Sequence, residues 1–203
     1  MMTGMTTSQP ANKPANQTPV YVCVYCASSI RLDAQYMNVA SQTGQLLAKH
    51  GRTLVWGGGS VGMMGAVAHA VQQHGGQVVG VIPQFMIDKE LAFETADELI
   101  VTQTMRQRKQ TMEDRSDYFI VLPGGFGTLE EFFEILTLRI LDCHDKRIFI
   151  VNSHGFYDKL LGFIEQLYEQ QFAGQKYRSC YEVVDSPETA MAMIAQQVEA
   201  DGV

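Results

Sequence analysis

The residues best suited to chemistry lie in one run, Pro123-Gly-Gly-Phe-Gly-Thr-Leu-Glu-Glu131. It follows an apolar stretch, residues 118–122, and opens a series of helix formers, so it reads as strand, glycine turn and helix start. A helix start presents unpaired backbone N–H groups at the positive end of the helix dipole, which suits a phosphate. Gly124, Gly125, Phe126, Gly127 and Thr128 would form the cradle, and Leu129, Glu130 and Glu131 lead into the helix. A carboxylate beside a bound phosphate suits chemistry on a nucleotide. Thr128 and Glu131 also have capping-box spacing, which would give both a structural role. Glu130 and Glu134 share one helical stripe, with Glu131 roughly 100° away. The spacing leaves open which carboxylate enters a pocket.

Two other groups could contribute. Gly57-Gly-Gly-Ser-Val-Gly-Met-Met-Gly65 follows the apolar residues 53–56. Gly57, Gly59 and Gly62 match a bare G-x-G-x-x-G, but the next strand carries no acid and no Gly-Lys-Ser/Thr closes the loop. Gly58, Gly59 and Ser60 are candidate nucleotide contacts, and a tight packing turn is the competing reading. Met105-Arg-Gln-Arg-Lys109 concentrates three cations in a chain with only 15 lysines and arginines. A guanidinium fork can clamp phosphate or ribose hydroxyls, whereas a solvated helix face would need no ligand. Ser28 and Ser29 follow the first strand and could line the crevice, and Glu90 is a candidate for hydroxyl recognition.

Cys23 and Cys26 have redox or half-zinc spacing, but no second close pair completes a metal site, and buried thiols in a strand are the stronger reading. None of the five histidines has metal-ligand spacing, and no Ser-His-Asp arrangement can be assembled.

The elements that must position these residues alternate. Strands are expected at residues 20–26, 53–56, 77–82, 98–102, 118–122, 147–151 and 181–184. Helices are expected at 33–50, from the second glycine turn to 74, at 104–115, 129–141 and 156–171, and after Pro187. Asp33 is placed to cap the first helix, and Gly75-Gly76 to stop the second. The strands are apolar throughout, as two-sided burial requires. The fold class is therefore α/β, a single-domain Rossmann-like parallel sheet with helices on both faces. Ligands in such sheets bind beyond the carboxyl ends of the strands.

Composition bounds the rest. The chain has 203 residues, 46% hydrophobic and 18% charged, which fits one domain with a sizeable core. Its net charge of -7 argues against a broad nucleic-acid face. Residues 1–19 are polar and proline-containing, and read as a disordered tail without a signal-peptide core. Residues 20–199 read as the catalytic domain and 200–203 as a short C-terminal tail. No segment is long and apolar enough to span a bilayer, and the cysteines fit a reducing cytoplasm.

The run from Pro123 to Glu131 matches the pattern P-G-G-x-G-T-x-x-E of the LOG family, phosphoribohydrolases of cytokinin riboside 5'-monophosphates long mislabelled as lysine decarboxylases. Cys23-Val-Tyr-Cys-Ala-Ser-Ser29, residues 57–65, Arg108-Lys109 and Gly155-Phe-Tyr-Asp158 resemble the same family, and the likeness covers roughly residues 20–195. The resemblance implies that Glu131 is catalytic with Arg108 as its partner. It implies that Lys109 and Glu90 contact substrate, that residues 124–128 hold the 5'-phosphate, and that Thr137 lies near the pocket. It further implies a cytoplasmic dimer or larger homo-oligomer with the site near the subunit contact, and no organic cofactor. The chain departs from the family at Arg106 and Gln107, where histidine and glutamate are common, and at Leu138 and Ile140, where tryptophan and glutamine are common. The expected reaction releases free base and ribose 5-phosphate from a purine nucleoside 5'-monophosphate, AMP included. The competing class is a non-catalytic carrier of a phosphorylated nucleotide or pterin cofactor.

Overall fold

Alternate residues of each apolar run face opposite cores, and this makes the runs strands. Val22 and Val24 enter one buried cluster and Cys23 and Tyr25 the other. Phe119 and Val121 likewise oppose Ile120 and Leu122. The computed structural model describes residues 18–87, 89 and 92–202. The chain runs β1 (Tyr21–Tyr25), α1 (Ala34–Lys49), β2 (Thr53–Trp56), α2 (Gly62–Gln73), β3 (Val78–Pro83), α3 (Gln84–Ile87), β4 (Glu98–Thr102) and α4 (Met105–Asp114). It continues through β5 (Tyr118–Val121), α5 (Phe126–Ile140), β6 (Arg147–Val151), α6 (Asp158–Glu169), β7 (Glu182–Val184) and α7 (Pro187–Ala200).

The seven strands form one sheet in the order β4-β3-β2-β1-β5-β6-β7, with every pair parallel. Residues of α1, α2 and α7 pack on one face and residues of α4, α5 and α6 on the other. The α/β class and the parallel sheet read from the sequence are those observed. The chain leaves β1 towards β4, then returns to place β5 on the other side of β1. That reversal opens a crevice at the carboxyl ends of β1 and β5.

Local signals mostly act as read. Asp33 accepts from the Gln35 amide at 2.9 Å, and Gly75 takes φ +76° after α2. One expectation needs correction. Helix α5 starts at Phe126 with Gly125 as its N-cap, so Thr128 is buried inside the first turn and does not cap with Glu131. Phe133 is 38% exposed, while Phe132, Ile135 and Leu136 face inward. The short helix α3 was not foreseen, because four residues after a proline carry no periodicity.

Candidate active site

Helix α4 begins with a capping box. The Gln107 amide donates to Thr104 Oγ1 at 3.2 Å, and Gln107 Oε1 accepts from the Thr104 amide at 3.2 Å. The fixed start turns Arg108 and Met112, one turn apart, towards the sheet. The Arg108 guanidinium is then held at both ends. Its Nε donates to the Val81 carbonyl at 3.1 Å, and its Nη1 donates to Glu131 Oε1 at 2.7 Å. Arg108 is 5% and Glu131 9% exposed, so this is a buried ion pair joining α4 to α5. Gly57, at the end of β2, makes room for it. A Cβ there would lie 1.6 Å from Arg108 Nη2.

Burial pushes the Glu131 carboxyl above its ordinary range, and the Arg108 charge and hydrogen bond pull it back without cancelling the rise. Glu131 is the carboxylate that enters the pocket. Glu130 borders the same cleft but, like Glu134, is paired with Lys109, whose Nζ lies 2.7 Å from Glu134 Oε2. Burial lowers the Lys109 ammonium, but the hydrogen bonds from Glu130 and Glu134 outweigh it and hold the group above its usual value.

The pair opens on a cleft of about 330 Å³ at the carboxyl ends of β1, β2 and β5. Ser28, Gly57, Gly125, Phe126, Gly127, Thr128, Glu130, Arg108 and Glu131 all line it. Thr128 is 3% exposed, and among the described residues its hydroxyl has no hydrogen-bond partner. A Cβ added at Gly125 or Gly127 would meet nothing within 4 Å, so neither glycine is required by contacts among the described residues. Gly125 is the N-cap, where glycine is well tolerated, and Gly127 lies two positions further in. The start of α5 thus offers the cleft two positions without side chains, Gly125 and Gly127, between Phe126 and Thr128.

Other candidates lie outside this lining. Gly58, Gly59 and Ser60 are behind Gly57, and Gly124 and Leu129 do not line the cleft. Thr137 borders a separate outer groove with Phe133, Glu134 and Leu138, and its hydroxyl donates to the Phe133 carbonyl at 2.6 Å. Lys109 does not line the cleft either. Glu90 falls outside the described residues. Cys23 and Cys26 are buried, and burial raises both thiols well above their usual value, so neither is a thiolate.

Sequence reasoning gave Met64 as core or pocket wall and missed the other three methionines of that wall. Met64, Met86, Met105 and Met112 line the cleft. Positions 105, 108 and 112 share one helical face, and that stripe was the available signal.

The family model described as "Possible lysine decarboxylase" matches residues 64–194. A Mycobacterium tuberculosis protein named cytokinin riboside 5'-monophosphate phosphoribohydrolase is 47% identical over 174 residues, covering 86% of this chain and 92% of that protein. The Oryza sativa protein named cytokinin riboside 5'-monophosphate phosphoribohydrolase LOG is 38% identical over 178 residues, covering 88% of this chain and 72% of that protein. Among solved structures, the molybdenum cofactor binding protein from Rippkaea orientalis aligns with a TM-score of 0.69 at 20% identity, over 90% of this chain and 99% of that one, a likeness of fold. Similarity this extensive to proteins of that name means that the chain belongs to the LOG family of cytokinin riboside 5'-monophosphate phosphoribohydrolases.

Proposed function

We propose that the protein hydrolyses the N-glycosidic bond of purine nucleoside 5'-monophosphates, those with an apolar N6 substituent above all, to free base and ribose 5-phosphate. The observation that carries this reading is the juxtaposition in one cleft of the buried Arg108–Glu131 pair and the start of α5 with its unpartnered Thr128 hydroxyl. The substrate phosphate seats on the amides of residues 125–128 and on Thr128. Bond cleavage leaves positive charge on the sugar, as in other glycoside hydrolysis. Ionised Glu131 stabilises that charge at C1' and accepts a proton from the attacking water. Arg108 keeps the carboxylate ionised and aimed, and the bound phosphate supplies remote binding energy that holds the sugar in place.

The methionine wall supports the base preference. Thioethers give a soft, adaptable apolar surface. An N6-prenylated AMP is therefore expected to exceed AMP in kcat/KM by about tenfold or more. A Schiff-base decarboxylase would need a lysine with a lowered pKa, whereas Lys109 is raised and committed to two carboxylates. Self-association is part of the same reading. Phe133 on α5 and Leu141 at its C-cap are 38% and 65% exposed, and a second copy packed there would border the site.

The test is a product assay on a panel of nucleoside 5'-monophosphates and the matching ribosides. Release of base from the phosphorylated compounds, and little from the ribosides, is expected. Glu131→Ala and Arg108→Ala should each lower kcat about 10²-fold or more. Tight nucleotide binding with no base released at any protein concentration would make the protein a carrier.

A further inference from the structure

The segment Gly155-Phe-Tyr-Asp158 touches none of the chemistry above, yet it is built to hold one side chain. Asn152, just after β6, brackets it. Its Oδ1 accepts from the Tyr157 amide at 2.7 Å, and its Nδ2 donates to Asp158 Oδ1 at 2.7 Å. Gly155 has φ +67° and lies against the Asp158 carboxylate, where a Cβ would come within 2.6 Å of Oδ2. The closed turn drives Tyr157 inward until it is 2% exposed.

Its hydroxyl reaches the root of the phosphate turn. The Tyr157 O–H donates to the Leu122 carbonyl at 2.7 Å, beside the Gly124 amide. These two groups flank Pro123, which has no N–H of its own. One buried hydroxyl therefore holds the end of β5 at the residue that leads into the turn, beside the position that lacks an N–H. Burial pushes the phenol well above its usual value, so it stays neutral and can donate and accept together.

We propose that Tyr157 is a positioning residue for the phosphate turn: its hydroxyl, held by the Asn152 bracket, sets the angle at which residues 124–128 present their amides to the substrate 5'-phosphate. The proposal rests on the functional reading above. Without that hydroxyl the Leu122 carbonyl loses a buried donor, and the turn is then free to tilt.

The test is Tyr157→Phe, read by steady-state kinetics and by ribose 5-phosphate binding in a calorimeter. KM for a nucleoside 5'-monophosphate and Kd for ribose 5-phosphate should both rise about tenfold, with kcat within about threefold of wild type. Amide exchange across residues 122–128 should quicken. Asn152→Ser keeps the hydroxyl but loosens its bracket, and should give a smaller shift of the same kind; it decides the matter if Tyr157→Phe does not fold. A fall in kcat with unchanged KM, or unchanged ribose 5-phosphate affinity and exchange, would overturn the assignment. Wild-type protein that binds ribose 5-phosphate but releases no base would sink the hydrolase reading alone, and the affinity comparison would still decide Tyr157.

Discussion

Arg108 and Glu131 each make sense only with the other. A buried carboxylate or guanidinium alone leaves an uncompensated charge, so Arg108→Met or Glu131→Leu singly should destabilise the fold by about 3 kcal/mol or more. The double variant Arg108→Met/Glu131→Leu should recover most of that loss, because two apolar groups of similar volume remove both charges at once. Denaturant titration of the four proteins checks this, and additive losses would refute it.

The pH dependence follows from the same pair. Burial raises the folded-state pKa of Glu131, and the proposed reaction uses the ionised form. The acid limb of kcat/KM should therefore lie above the ordinary carboxylate range. Arg108→Gln leaves burial unopposed and should move that limb to higher pH, a shift that residual activity in a pH profile would reveal. The same sign applies to stability. A carboxyl with a raised folded pKa contributes fully below its unfolded pKa, and that contribution is lost as pH climbs through the folded value.

At the scale of elements, the site depends on how α4 sits against α5. Two ties hold them, the buried Arg108–Glu131 pair and the bridge from Lys109 to Glu130 and Glu134. The second is half in water, since the Glu130 side chain is 55% exposed and that of Glu134 42%. Lys109→Met should then cost about 1 kcal/mol or less and raise KM only a few-fold. A hundredfold rise in KM would mean that Lys109 meets the substrate anion directly. Sequence could read this layer only in part. The i, i+4 spacing of Glu130 and Glu134 gave their shared stripe, but their common partner lies on another helix. The start of α5 was misplaced because Thr128 and Glu131 satisfy the capping pattern locally, and only the tertiary structure turns that threonine towards the cleft. The role of Gly57 was out of reach for the same reason, since the atom that excludes a side chain there belongs to Arg108.

At the scale of the molecule, the legible part was the alternation of apolar runs and helix formers, because two-sided burial leaves a mark in every strand. The strand order was not written in any one segment. It arises when β5 returns beside β1, which brings residues 27–29 and 124–128 to one edge. There the Ala27 amide donates to the Pro123 carbonyl at 3.2 Å. Assembly belongs to this scale too. Phe133→Asp or Leu141→Asp should lower the mass measured by light scattering to that of one chain and weaken turnover, if the outer face of α5 is shared with a second copy. Unchanged mass in both variants would remove that face from the assembly.

Gly57 contributes no reactive group, yet the whole position of Arg108 relies on its missing carbon. Gaining a single methyl there would evict the guanidinium while leaving the start of α5 untouched. On the proposed reading, such a change would separate the charge pair from the phosphate turn by the smallest step a side chain allows.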